Sequence, residues 1–171
     1  MTHKENWLEK QFDFDFPISR YVELLQYLRE TPAKLEAMLA SLPRETLVRH
    51  EGDSWSIQEN AGHFLTLEPL FQGRLDDFMN NQPVLRPANF EDNLTDKANY
   101  DDQNIGRILS EFSKQRGSFV RRLEALKPGD FGRVALHPRL NKPMRLCDSM
   151  LFQVEHARHH LARIEELIEL W

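Results

Sequence analysis

The sequence predicts an all-α protein, a four-helix bundle. Three observations carry this expectation. Apolar residues recur three or four positions apart over four long stretches. Strand-like alternation is hard to find. The 7 glycines of the 171-residue chain are thinly spread. Four amphipathic helices of comparable length must bury their apolar stripes against one another.

The first stretch runs from Ile18 to Leu42, with Tyr21, Leu24, Leu25, Leu28, Leu35, Met38, Leu39 and Leu42 at helical spacing. Thr31-Pro32 interrupts it. Threonine is a good N-cap and proline suits a first helical position, so a kinked helix or two coaxial pieces are expected. The second helix spans about 57 to 79. Ser54 or Ser56 caps it, and Glu59, three residues after Ser56, completes a capping box. The third covers about 102 to 126 and stops at Lys127-Pro128-Gly129. The fourth covers about 146 to 170. Long connections follow helices 2 and 3. The one from 80 to 101, with Pro83 and Pro87, is expected to cross the bundle. No internal repeat divides the chain, so residues 1–171 are expected to form one domain.

Bulk properties narrow the function classes. The 22 basic residues against 27 acidic ones give a net charge of −5, which argues against a nucleic-acid partner. The mean hydropathy is −0.59, and no apolar run reaches the length of a membrane span. The start, MTHKENWLEK, does not read as a secretory signal. The lone Cys147 excludes a thiolate-built zinc site and fits a reducing cytosol, so a cytoplasmic location is expected. Cys147 itself reads as a small apolar residue near a helix start, the alternative being a nucleophile beside an active site.

The segment EHARHHLARI, 155 to 164, carries three histidines within five positions. Each helical residue turns the chain by about 100°. Leu146, Met150, Val154, Ala157, Leu161, Ile164 and Ile168 therefore form the inward stripe. His156 and His160 lie on its flank, one turn apart. His159 is expected to face water. On the second helix, Ile57, Ala61, Phe64, Phe71, Leu75 and Phe78 face inward, with His63 at the edge and Glu68 inside the stripe. Helices that pack about 8–10 Å apart can bring three imidazoles to one ion. By themselves, a pair four apart and a lone edge histidine are also what a polar helix boundary looks like.

Other signatures are absent: no HExxH, no Glu-x-x-His repeats of a di-iron bundle, no phosphate-binding glycine loop and no GxSxG elbow.

Three segments, in this order and separation, resemble the DinB-like superfamily of small bacterial four-helix proteins. They are DFPISRYVELLQYLRETPAKL, WSIQENAGHFLTLEPLFQGRLDDF and HPRLNKPMRLCDSMLFQVEHARHHLARI. The resemblance implies a DinB/YfiT-like bundle of up-down-down-up type. It implies a metal site of one histidine from the second helix and two from the last: His63, His156 and His160. It also implies kinship with thiol-dependent transferases and isomerases, and a tendency to form homodimers.

Three neutral imidazoles suit Zn²⁺ or Ni²⁺ and leave a position open for water or substrate. The favoured expectation is transfer of a low-molecular-weight thiol to an electrophile. Glu68 or Gln153 would orient a ligand imidazole, and the basic loop with Arg133, Arg139, Lys142 and Arg145 would receive carboxylates of the thiol. The plainer alternatives are boundary polar residues and a solvated loop. Two other functions compete. One is a non-catalytic, stress-related metal-binding or oligomerising module, with Trp7, Phe12, Phe14 and Phe16 covering a bundle edge or a partner. The other is metal-dependent hydrolysis, for which Glu68 is the inward candidate base. A cleft large enough for a peptide-like thiol favours an enzyme, and a plugged one favours the module.

Overall fold

A computed structural model describes residues 7–89 and 93–171. In chain order the elements are α1 (Tyr21–Leu39), the short α2 (Arg44–Leu47), α3 (Ile57–Met79), the short α4 (Leu94–Lys97), α5 (Ile105–Glu124), a hairpin of β1 (Val134–His137) and β2 (Lys142–Arg145), and α6 (Leu146–Leu170). The four long helices are those the periodicity predicts. The second is capped as expected: Ser56 Oγ accepts from Glu59 N at 3.0 Å, and Glu59 Oε2 accepts from Ser56 N at 2.9 Å. The hairpin was not legible, because each strand has only four residues. It exists as an antiparallel pair docked on Pro83 and Leu85 of the preceding connection.

The first helix departs from expectation. Thr31 is not a cap, and the helix runs unbroken through Pro32. A proline inside a helix leaves the carbonyl four residues back without its donor. That carbonyl is Leu28 O, and Arg116 Nη1 reaches it from α5 at 3.4 Å. Thr31 Oγ1 donates to the adjacent Tyr27 O at 2.8 Å. Tertiary contacts thus supply at the proline what the helix cannot.

Helix α1 packs on α5 and α6, and so does α3. Helices α1 and α3 therefore sit diagonally opposite, as do α5 and α6. The segments 40–56 and 125–145 must cross the bundle. The connection from 80 to 101 does not, contrary to expectation. It joins neighbouring helices, and its α4 and Tyr100 pack against α3. Gly62 permits this approach, because a Cβ there would run into the Tyr100 ring.

The core has two apolar clusters. One includes Leu28, Phe71, Phe119 and Met150, and the other Leu35, Phe64, Phe112 and Leu161. Burying each such side chain contributes about 1.5–3 kcal/mol. Between the clusters in helix sequence stand Glu68 and Arg116, 0% and 2% exposed, joined through Glu68 Oε1 to Arg116 Nε at 2.9 Å. Arg116 also lies over the Phe112 ring at 5.0 Å. The amino-terminal aromatics pack on the chain's own core. The rings of Trp7 and Phe12 lie 5.2 and 4.9 Å from that of Phe152. Arg145 fixes the segment by donating to Phe14 O and Phe16 O at 2.8 and 3.0 Å. No helix among the described residues is long and apolar enough to cross a membrane.

Candidate metal centre

Helix α3 presents His63, and α6 presents His156 and His160 one turn apart. The α3–α6 contact brings the three together: each offers a ring nitrogen, and these lie within 4.8 Å of one another. His63 Nε2 and His156 Nε2 are 3.2 Å apart. The ring centroids of His160 lie 4.6 Å from His63 and 4.5 Å from His156.

The hydrogen bonds behind the rings decide which nitrogens are available. Asn60 Nδ2 donates to Ser56 O at 2.8 Å, which turns its Oδ1 toward His160. Oδ1 can only accept, so His160 Nδ1, 2.9 Å away, carries the proton and Nε2 is bare. His63 Nδ1 is 2.8 Å from Thr95 Oγ1 of α4, and a proton on that nitrogen likewise leaves Nε2 bare. Partners of this kind fix tautomer and ring orientation at metal sites. Asn60 is an interior helix position three residues before His63. Thr95 comes from a connection with no pattern to read. Neither was expected from sequence.

Electrostatics keep the rings neutral. Burial holds His63 down to about 4, with His159 adding to it and Asp96 opposing. Burial, then the neighbouring histidines, lowers His156 and His160 well below the usual imidazole value, and Arg116 adds to this at His156. Three neutral rings converge, two of them with Nε2 bare, and a cation can take one nitrogen from each. A tetrahedral ion with nitrogens at about 2.0–2.1 Å separates them by about 3.3 Å, close to the shortest spacing seen here. The residues therefore fit a divalent late transition metal.

The depressed values set a pH dependence. The unfolded chain binds protons below about 6.5 that the folded chain refuses until about 4, so this stability is full above 6.5 and is lost as pH falls through that window. His137, held to about 4 by burial and the cations Arg74 and Arg139, acts in the same sense. His50, raised by the Ser54 carbonyl, opposes it. The melting temperature of metal-free protein should fall between pH 7 and 5, with a shallower slope in His156→Gln. A flat profile in calorimetry would contradict the assignment.

The three histidines line a cavity of about 580 Å³ whose other walls include Trp7, Trp55, Phe71 and Phe152. Trp55 stands 4.8 Å from His63 by ring centroid and donates from Nε1 to Asp96 Oδ1 at 2.7 Å. Trp7 stands 5.0 Å from His156. His159 is half-buried rather than turned to water, 5.7 Å from Trp7 at the cavity wall. No aspartate or glutamate among the described residues lines this cavity, although Asp53, Glu155 and Glu166 line a neighbouring hollow beyond His159 and His160.

Two expected supports do not reach the histidines. Glu68 is taken by Arg116, its Oε2 has no hydrogen-bond partner, and it does not line the cavity. Burial raises its carboxyl and Arg116 counters that. It is neither an orienting group nor a base within reach. Gln153 is 3% exposed and its Oε1 has no partner; the hydrogen bonds of the three rings go to Thr95, Asn60 and one another, not to Gln153. Of the basic loop, Arg133 pairs with Asp130 and Arg145 with Asp148, and Lys142 is exposed. Arg139 alone joins the cavity wall. Cys147 is buried away from solvent, and burial pushes its thiol up to about 11.

A second group, His50, Glu59 and Asp101, also gathers potential ligands, but its members cap and brace α3.

A family model described as the DinB superfamily matches residues 27–164. No curated protein is matched. Among solved structures, the fold is similar to YfiT from Bacillus subtilis, described as a probable metal-dependent hydrolase with an unusual four-helix bundle topology. The TM-score is 0.77 at 21% identity, over 93% of this chain and 91% of that one.

Proposed function

The chain belongs to the DinB superfamily, and from that premise we propose that it is a metal-dependent enzyme that transfers a low-molecular-weight thiol to a small electrophile. His63, His156 and His160 would hold the ion, Zn²⁺ or Ni²⁺ by donor type. The observation that carries the reading is three neutral imidazoles opening on an apolar cavity of about 580 Å³, in whose wall no described residue is a carboxylate. A cavity of that size suits a small organic substrate.

When bound, the ion supplies a Lewis acid that lowers the pKa of a thiol or water presented to it. The chain's own residues do the rest. Asn60 and Thr95 hold the imidazoles by their outer nitrogens. Trp7, Trp55 and Phe152 exclude water and offer flat apolar surface to the electrophile. In the overall reaction a sulfur–carbon bond forms, the leaving group departs with its electron pair, and the thiol proton passes to water. A thiol so activated needs no carboxylate base, whereas water attack benefits from one. Hydrolysis is the second reading, favoured by the fold likeness to YfiT and its description.

The test uses protein purified without chelators or affinity nickel. It should carry about one late transition metal per chain. With monobromobimane as electrophile, one member of a panel of cysteine-derived thiols should form thioether faster than without protein, and His156→Ala should abolish the difference. Turnover of esters or amides by water with no thiol dependence would overturn the transferase reading in favour of hydrolysis. Absence of metal would overturn both.

A further inference from the structure

The wall of the cavity opposite in character to the histidine cluster carries cations and donors without acceptors. Arg74 from α3 is 4% exposed, and its Nε donates to the Arg86 carbonyl at 3.1 Å. Asp77, the carboxylate that favours the charge on Arg74, has both oxygens engaged by Arg86. Arg139 comes from the β1–β2 turn. Its Nη1 donates to Leu8 O at 3.2 Å, while its Nη2 is buried with no hydrogen-bond partner. His137, 2% exposed, ends β1. Its Nδ1 accepts from Leu140 N at 3.1 Å, so in the neutral ring Nε2 carries the hydrogen. That Nε2–H is also buried with no partner. All three residues line the same cavity as the metal ligands.

Buried donors without acceptors cost stability, and their clustering beside a cavity calls for a ligand that supplies acceptors. We propose that Arg74, His137 and Arg139 form an anion subsite, which receives the carboxylate or phosphate-type group of a small organic substrate whose apolar body fills the cavity toward the histidines. The proposal rests on the same cavity as the enzymatic reading and adds the substrate class: an organic anion with an apolar body. The field at the subsite agrees with it. Burial, then Arg74 and Arg139, hold His137 in its neutral form; burial opposes the charge on Arg74, Asp77 favours it, and Arg139 and Arg86 oppose it. An anion relieves this crowding of like charge. The approach of Arg139 to the Phe152 ring, 5.8 Å from guanidinium carbon to ring centroid, sets the charged group beside the apolar wall.

Binding is tested on the purified full-length chain by quenching of tryptophan fluorescence, since Trp7 and Trp55 line the cavity. The probes are 3-phenylpropanoate, 2-phenylethylphosphonate and the neutral 3-phenylpropanamide. At least one anion should bind about tenfold tighter than the amide, as expected for charge-assisted hydrogen bonds, and the tighter anion identifies the headgroup. Arg139→Gln should remove most of that preference while changing amide binding less than about twofold. Arg74→Gln is the second variant. Equal affinity for amide and both anions overturns the subsite, and so does an anion preference that survives both substitutions, since the anion would then be held elsewhere. Metal content separates this result from the metal reading: Arg139→Gln should retain the wild-type metal. Loss of anion preference with metal retained supports the subsite even if thiol transfer is absent.

Discussion

Replacing His160 by alanine is expected to lower metal affinity by two orders of magnitude or more, roughly, and to leave the purified protein largely without metal. The site has three protein nitrogens from two helices, and His160 is the one whose tautomer is most firmly set. Asn60 Oδ1 faces its Nδ1 at 2.9 Å, and Asn60 is itself held by Ser56 O. Removing the ring leaves His63 and His156, from different helices, to hold the ion alone. Asn60→Ala should cost less, about 10–100-fold, because it loosens a ligand without deleting it. His159→Ala is the neighbouring control and should keep its metal, since His159 is not among the three converging rings. Competition with a chromophoric chelator measures all three variants. A His160→Ala protein with wild-type metal content, or a His159→Ala protein without metal, would refute the ligand set.

The second large effect lies in the mid-bundle ion pair. Glu68→Ala is expected to destabilise the fold by about 3–5 kcal/mol, because it strands the Arg116 guanidinium in the core. For a chain of this size that corresponds to a fall in melting temperature of roughly 6–20 °C. Metal content should not change, since Glu68 does not touch the histidines. Replacing both partners by methionine should restore much of the loss, as buried pairs often tolerate apolar substitution. It should not restore all, because Arg116 also serves Leu28 O, the carbonyl that Pro32 leaves without a donor. Adding Pro32→Ala to the double variant returns an N–H to that carbonyl and should recover more stability than the same change does in the wild type. Calorimetry of the four proteins decides this. Equal gains in both backgrounds would separate the proline from the arginine.

The helices were legible because their pattern is local. Ser56 and Glu59 mark the start of α3, and the stripes of α3 and α6 are almost wholly buried as their spacing requires. Thr31-Pro32 misled for a definite reason: the same dipeptide that starts a helix is tolerated inside one when a distant residue meets the freed carbonyl. The place of Glu68 in an apolar stripe was readable as an anomaly, but its partner was not, since Arg116 is 48 positions away. The crossing of the bundle was misassigned because loop length says how far a segment can reach and not which helices are neighbours.

Backbone geometry alone turns the spacing of 156 and 160 into two rings on one flank of a helix, and no distant contact is needed for that. Whether a third ring joins them depends on which helices adjoin and how each is rotated. His63 meets His156 across 93 positions because α3 packs on α6 while α1 stands on its diagonal. The same packing brought Thr95 and Asn60 behind the rings and set Arg139 in the wall of the cavity. Those placements follow from side-chain complementarity between elements, which one-dimensional periodicity does not encode.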